Sequence, residues 1–175
     1  MELGELERLS GHHLVSGFDA GPADQRGQAL WLRERGLAND RQGLTRVFVA
    51  TLTGTLQVGA FFGLAPSVVV RAELPRRLRP HGTPLAIPAW LIARLAVDRR
   101  VQGRGFGRDL MLAALSRIVV AHEHRGGALV SVDAVGEKAR RLYAHYGFVP
   151  ISDAGEDTVR MAVPMATIAA LLRTP

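Results

Sequence analysis

The sequence predicts an α+β chain, bordering on α/β, built around one mixed β-sheet. Three observations carry this. The second half alternates strand-like and helix-like runs in the order β-α-β-α-β-β. An apolar run, Leu91–Val97, passes through an arginine-rich turn and the glycines Gly103, Gly105 and Gly107 into an apolar helix. Apolar residues make up 47% of 175 residues, with no linker, repeat or low-complexity segment. That is enough for a real core in a single domain spanning 1–175.

Taken in order, residues 6–9 read as a short first strand, and residues 11–21 as polar turn. Asp24 to Asn39 reads as a helix, capped by Asp24, with Leu30, Trp31, Leu37 and Ala38 spaced for an apolar stripe. Arg46 to Leu52 is strand-like, Thr53-Gly54 a turn, and Leu56 to Arg71 a second β-prone stretch interrupted by Gly59, Gly63 and Pro66. Together they suggest a hairpin. Leu74 to Pro88 is loop, with prolines at 75, 80, 84 and 88. Ala89 to Val97 is apolar on both faces except for Arg94, which marks a central strand. Arg94 must face a cleft or be paired, because a buried unpaired guanidinium is too costly.

Phe106 to Glu123 is a helix with Leu110, Met111, Ala114, Leu115 and Ile118 on its buried side, ended by Gly126-Gly127. Ala128 to Val132 is another buried strand, Glu137 to Tyr146 a short helix stopped by Gly147. Phe148 to Ile151 and Thr158 to Val163 are final strands, and Met165 to Leu172 a terminal helix.

Composition excludes several chemistries. There is no cysteine, hence no disulfide, thiolate metal site or cysteine nucleophile. The start, MELGELERLSGHH, has no apolar h-region, so no signal peptide is expected. No apolar run approaches the roughly 18 residues of a membrane span, which makes a soluble cytoplasmic protein the expectation. The net charge is +6, and Lys138 is the only lysine. Residues 71 to 108 hold nine arginines against Glu73 and Asp98. A basic region this concentrated suits a nucleic acid, a phosphate-bearing cofactor, or both.

A strand that feeds a glycine-rich turn at a helix N-terminus can bind phosphate. The first-turn N–H groups are free, the helix dipole favours negative charge, and glycine admits close approach. A P-loop would need Lys-Ser/Thr after the glycines, and none is present. The dinucleotide fingerprint fails because Arg108 stands where its third glycine should be. What remains is Gln102-x-x-Gly105-x-Gly107.

This segment resembles motif A of the GCN5-related N-acetyltransferases (GNAT), [RQ]-x-x-G-x-[GA], which holds the pyrophosphate of acetyl-CoA. About 36 residues on, Ala139-Arg-Arg-Leu-Tyr143-Ala-His-Tyr-Gly147-Phe148 resembles the motif B helix of that superfamily. The resemblance implies a central mixed, mostly antiparallel, twisted β-sheet flanked by helices, and acetyl-CoA as co-substrate. Residues 9–18, 30–32, 46–49, 74–77 and 94–98 are further similar to the acetyltransferase toxins of type II toxin–antitoxin systems, the TacT and AtaT kind. One departure is that the usual F-x-[CS]-G-x-x-x-L-x-x-W-L passage is here FDAGPADQRGQALWL, with Ala20 in the small polar position. Membership implies acetyl transfer to the α-amine of aminoacyl-tRNA and inhibition of translation. It also implies a ribbon-helix-helix antitoxin, operator DNA bound only through the antitoxin complex, and a homodimer.

The chemistry needs a held thioester, a neutral amine and a proton for the leaving thiolate. By the resemblance, backbone N–H groups from Gly103 to Arg108, with Gln102, Arg104, Phe106 and Arg108, hold the pyrophosphate. The backbone of Leu95 and Val97 pairs with the pantetheine arm, and the Val97 N–H polarises the thioester carbonyl. Spacing alone makes Tyr143 a core aromatic, in helical step with Ala139 and Tyr146; the motif makes it the acid. A phenol, with an ordinary pKa of about 10, carries its proton at neutral pH. Tyr146 is assigned to packing. An α-amine titrates near about 8, so an aminoacyl substrate asks little of a base, and no Glu or His stands out as one. His122, Glu123, His124 and His145 read as surface, and His12-His13 lacks partners for a metal site. Arg76, Arg77, Arg79, Arg99 and Arg100 are the candidates for tRNA backbone contacts. The motifs also permit a small-molecule or protein amine as acceptor, or a non-catalytic co-repressor acting with an antitoxin.

Overall fold

The computed structural model describes residues 2–24, 27–79, 81–155 and 157–173. Its strands are β1 (Leu3–Arg8), β2 (Arg46–Leu52), β3 (Val58–Val70), β4 (Ala86–Val97), β5 (Leu129–Val135), β6 (Val149–Gly155) and β7 (Thr158–Pro164). They form one sheet in the order β1-β2-β3-β4-β5-β7-β6. The pairs β1/β2, β2/β3, β5/β7 and β6/β7 are antiparallel, and β4/β5 is parallel. The sheet is therefore mixed and mostly antiparallel, with the apolar β4 at its centre as its sequence requires. No helix among the described residues is long and apolar enough to cross a membrane.

The chain forms two compact units, residues 1–65 with 93–114 and residues 66–92 with 115–175. In the first, β2 and β3 make the expected hairpin, paired from Arg46↔Leu64 to Thr51↔Val58. Gly59, Gly63 and Pro66 do not interrupt β3, which runs 13 residues. The N-terminal helix differs from expectation. It comprises α1 (Gln28–Trp31), a π-helical segment (Leu32–Gly36) and α2 (Leu37–Gln42). Gln25 and Arg26, inside the expected helix, lie outside the described residues. Asp24 does cap it, because its carboxylate accepts the N–H groups of Gln28 at 2.6 Å and Ala29 at 3.0 Å.

The apolar stripe is Ala29, Leu32 and Gly36, whereas Leu30 is 51% exposed and Ala38 is also exposed. Of the expected stripe, Trp31 and Leu37 do pack, half-buried, against the same core, and the buried residues 29, 32 and 36 keep the i, i+3, i+7 spacing of an ordinary helix face. Ala29 and Leu32 pack with Leu9, Phe18, Val47, Val49, Val58, Phe61 and Ala96. Beyond the stripe, Asp40 is buried and forked by Arg8 (Nε at 2.9 Å, Nη2 at 2.8 Å), and it accepts the Val47 N–H at 3.0 Å. This carboxylate ties α2 to β1 and β2.

In the second unit, β4 and β5 pair from Ala89↔Leu129 to Ile92↔Val132. Val69, Leu74, Ile87, Ala89, Leu129 and Ala162 form the core. β3 is followed by a 3-10 turn at Arg71–Glu73, the segment expected as loop holds another at Arg76–Leu78, and β4 starts earlier than expected, at Ala86. Pro80 lies outside the described residues. The helices α4 (Gly136–His145) and α5 (Met165–Arg173) complete this unit.

The long helix α3 (Phe106–Arg125) buries Leu110, Met111, Ala114, Leu115 and Ile118, as its periodicity demands. Each large apolar side chain contributes about 1.5–3 kcal/mol by leaving water. Just past α3, Gly127 has φ +103°, and a Cβ there would stand 2.8 Å from the Trp90 ring, so glycine is required.

Candidate functional site

Along β4 the side chains alternate. Ala96 enters the core, while Leu95 and Val97 share the other face, half-buried. The strand then turns, closed by the Val101 N–H on the Asp98 carbonyl at 3.0 Å. Gly103 (φ +76°) and Gly105 (φ +88°) take left-handed conformations that only glycine adopts without strain. At Gly107 a Cβ would meet nothing within 4 Å, so nothing in the chain itself explains that glycine.

Phe106 and Gly107 open α3, and their amides have no carbonyl four residues back within the helix. Two amides of this turn are already used, since Arg108 and Asp109 donate to the Gly105 carbonyl at 2.9 and 3.3 Å. Arg108 therefore offers its exposed guanidinium rather than the expected backbone N–H. Arg104 is exposed beside it. First-turn amides, a long helix dipole and flanking cations are an arrangement that can hold a dianion.

The turn is braced by groups the sequence did not reveal as such. Asp98 is fully buried and accepts the Asp19 N–H at 3.0 Å, the Arg100 N–H at 2.9 Å, and Arg100 Nε and Nη2 both at 2.7 Å. Burial alone would push this carboxyl up, but the hydrogen bonds from Arg100 and from the Asp19 backbone hold it below the ordinary carboxylate range. Arg100 Nη2 also donates to the Gly17 carbonyl at 3.0 Å. Gln102, expected to touch the cofactor, instead uses its side-chain N–H groups on the carbonyls of Ala20 (3.0 Å) and Val97 (2.7 Å).

The five arginines proposed for tRNA thus separate. Arg100 is engaged with Asp98, Arg99 Nε lies 3.0 Å from Asp19, and Arg79 donates to the carbonyls of Leu74 (2.8 Å) and Ala72 (3.2 Å). Arg76 and Arg77 are exposed and make no side-chain hydrogen bond or ion pair among the described residues. Arg94 is accounted for as a pair: its guanidinium sits over the Trp31 ring, 5.1 Å from the centroid.

In α4, the two tyrosines part company. Tyr146 is 6% exposed and packs, as expected. Tyr143 is half-buried, with its ring 5.8 Å from that of Phe148. The helix closes with the N–H groups of Tyr146 (2.9 Å) and Phe148 (3.2 Å) on the Tyr143 carbonyl, and Gly147 turns the chain at φ +88°. Position 143 is therefore held by the backbone while its side chain keeps access to solvent.

His12 and His13 do have a partner, contrary to the sequence reading. Glu7 joins them in a cluster whose ligand atoms lie within 4.8 Å of one another. His13 is buried, its Nδ1 accepts the Ser10 N–H at 3.0 Å, and its Nε2 lies 3.1 Å from Glu7 Oε1, out of line for a full hydrogen bond. An accepting Nδ1 puts the proton of a neutral ring on Nε2, which then faces the carboxylate. A metal-ligating histidine has the reverse polarity, with a lone pair toward the metal and the other N–H donating outward.

Residues 88–169 match the family described as acetyltransferase (GNAT) domain. A tRNA-acetylating toxin of Mycobacterium tuberculosis is 41% identical over 118 residues, 67% of this chain and 69% of that protein. A probable toxin TacT of Sinorhizobium fredii is 35% identical over 138 residues, 73% of each. Among solved structures, AtaT complexed with acetyl-methionyl-tRNAfMet matches at TM-score 0.83 and 26% identity, over 97% of this chain and 99% of that one. AtaTR bound with acetyl-CoA matches at TM-score 0.79 and 27% identity, over 95% and 96%. A mutant AtaT toxin bound to the C-terminus of the antitoxin AtaR matches at TM-score 0.77 and 25% identity, over 97% and 98%.

Proposed function

The chain belongs to the GNAT acetyltransferase family, and from that premise we propose that it is a toxin that transfers acetyl from acetyl-CoA to the α-amine of aminoacyl-tRNA. The observation that carries this is the turn from β4 into α3. Two left-handed glycines and an unfilled space at Gly107 stand at the N-terminus of a 20-residue helix, with Arg104 and Arg108 alongside. That arrangement suits the diphosphate of acetyl-CoA. The Leu95 and Val97 backbone pairs with the pantetheine arm, and the Val97 N–H is the donor to the thioester oxygen.

The reaction then balances simply. The neutral amine attacks the thioester carbonyl, the N–C bond forms, and the C–S bond breaks. The phenol of Tyr143 gives its proton to the departing sulfur, and the surplus proton of the amine returns to Tyr143 through water. The ester beside an aminoacyl α-amine lowers its pKa below the roughly 8 of an ordinary α-amine, so much of it is neutral at cell pH and little is asked of a base.

Exposed Arg76 and Arg77 are the phosphate contacts in this reading, and the action is cytoplasmic, where charged tRNA is. A ribbon-helix-helix antitoxin neutralises the toxin and carries the complex to operator DNA, and the toxin works as a homodimer. The test is incubation of the purified protein with acetyl-CoA and charged tRNA. N-acetyl-aminoacyl-tRNA is the expected product. Acetylation of free amines only, indifferent to Arg76→Glu/Arg77→Glu, overturns the reading in favour of a small-amine acceptor.

A further inference from the structure

We propose that Asp98 and Arg100 form a positioning pair that holds the diphosphate turn in its binding shape, and that Arg100 serves acetyl-CoA through Asp98 rather than contacting tRNA. The inference rests on the reading of residues 102–108 as the acetyl-CoA diphosphate site.

The turn itself has little to keep it ordered. Residues 102–105 are exposed, and Gly103 and Gly105 bring the greatest conformational freedom of any residue type. Order must come from its stem. There every polar atom of Asp98 is used. Its N–H donates to the Gly59 carbonyl at 2.8 Å, its carbonyl accepts from Val101, and its two carboxylate oxygens accept from Asp19 and Arg100. The same seam is extended by the Arg99 N–H on the Asp19 carbonyl (2.8 Å), the Gly21 N–H on Asp19 Oδ1 (2.8 Å) and Gln102 on Ala20. The segment 17–21 and the stem of the turn are thereby fixed to each other.

Arg100 has a second effect. A buried carboxylate at the base of an anion site would repel the incoming diphosphate, and a buried charge without its partner is strongly destabilising. The guanidinium, forked onto both oxygens of Asp98, cancels that charge. A fully satisfied network around a buried carboxylate fixes geometry as well as adding stability. A diphosphate entering a preorganised turn has less ordering entropy to overcome.

Three variants test this, with acetyl-CoA affinity by calorimetry, separate KM values for the two substrates, and thermal melting to establish the folded fraction. Asp98→Asn and Arg100→Gln should each raise the Kd and KM for acetyl-CoA about tenfold, the effect of one lost charge-assisted hydrogen bond. The KM for aminoacyl-tRNA and kcat at saturating acetyl-CoA should stay as in the native protein. Arg100→Lys should fail to rescue, because an ammonium cannot fork onto both oxygens. Folded variants with native acetyl-CoA affinity overturn the proposal, as does a rise confined to the KM for aminoacyl-tRNA. If Asp98→Asn does not fold, the Arg100 variants decide, Arg100→Lys first, since it keeps a cation beside the buried carboxylate. Gly105→Val separates the two levels. If it leaves acetyl-CoA binding unchanged, the turn is not the diphosphate site. If it weakens binding while Arg100→Gln does not, only the positioning pair is overturned.

Discussion

In the proposed reaction Tyr143 supplies one proton, delivered to sulfur as the C–S bond breaks. Tyr143→Phe keeps the ring against Phe148 and the carbonyl that closes α4, and removes only the hydroxyl. The turnover number should fall by about 10²–10⁴, the usual contribution of a positioned acid, with acetyl-CoA affinity unchanged by calorimetry. Near-native turnover would remove Tyr143 from the mechanism. Asp98 makes a different prediction, about pH. Its carboxyl is held below the ordinary range, so its stabilisation is complete above the unfolded value, near about 4, and is lost as pH falls through the lower folded value. The native protein should melt higher than Asp98→Asn at neutral pH, and the gap should narrow progressively below about pH 4. A gap that stays constant down to pH 3 would mean that the carboxylate charge is not what stabilises. Tyr143 is proposed from the sequence because a motif surrounds it. Asp98 could not be, because nothing in the string VDRR says that the acid goes inward and takes the second arginine with it.

Secondary structure was legible wherever a period or a punctuating residue decided it. The boundaries of β2 and the buried face of α3 follow directly from apolar spacing, and Gly147 marks the end of α4. The N-terminal helix was legible in place and in half of its apolar stripe. Trp31 and Leu37 pack on the core as their spacing suggests, whereas Leu30 and Ala38 face outward and Ala29, Leu32 and Gly36 are the buried residues. Nothing local in LRERG announces an i→i+5 turn. Gly36, which ends it, is closely packed: a Cβ there would stand 3.2 Å from Leu32 and 3.4 Å from Leu9. Such a helix depends on its start. Asp24 supplies both N-terminal hydrogen bonds from one carboxylate, so Asp24→Ala should cost about 1 kcal/mol in chemical denaturation. Asp24→Asn, which keeps an acceptor oxygen, should recover most of that loss, and equal effects of the two would deny the cap.

Across the whole molecule the question is where a net charge of +6 is available to a polyanion. The sequence offered Arg76, Arg77, Arg79, Arg99 and Arg100 as equals, because a linear reading counts charges without their partners. The fold does not treat them equally. Carboxylates at Asp98 and Asp19 take up Arg100 and Arg99, and backbone carbonyls take up Arg79. Arg76 and Arg77, on the short 3-10 turn Arg76–Leu78, keep their guanidinium groups in water. A phosphate contact made by such a side chain releases a counterion, so each contact adds about one unit to the slope of log K against log salt. Arg76→Ala/Arg77→Ala should therefore weaken binding of charged tRNA most at low salt, and lower that slope by about 2, while Arg99→Ala lowers it by much less. Acetyl-CoA affinity, measured in parallel, should not move in the double variant, since neither side chain belongs to the turn at Gly103–Gly107. Identical slopes for native and double-variant protein would shift the nucleic-acid surface elsewhere, to the exposed Arg104 and Arg108 beside the proposed diphosphate site.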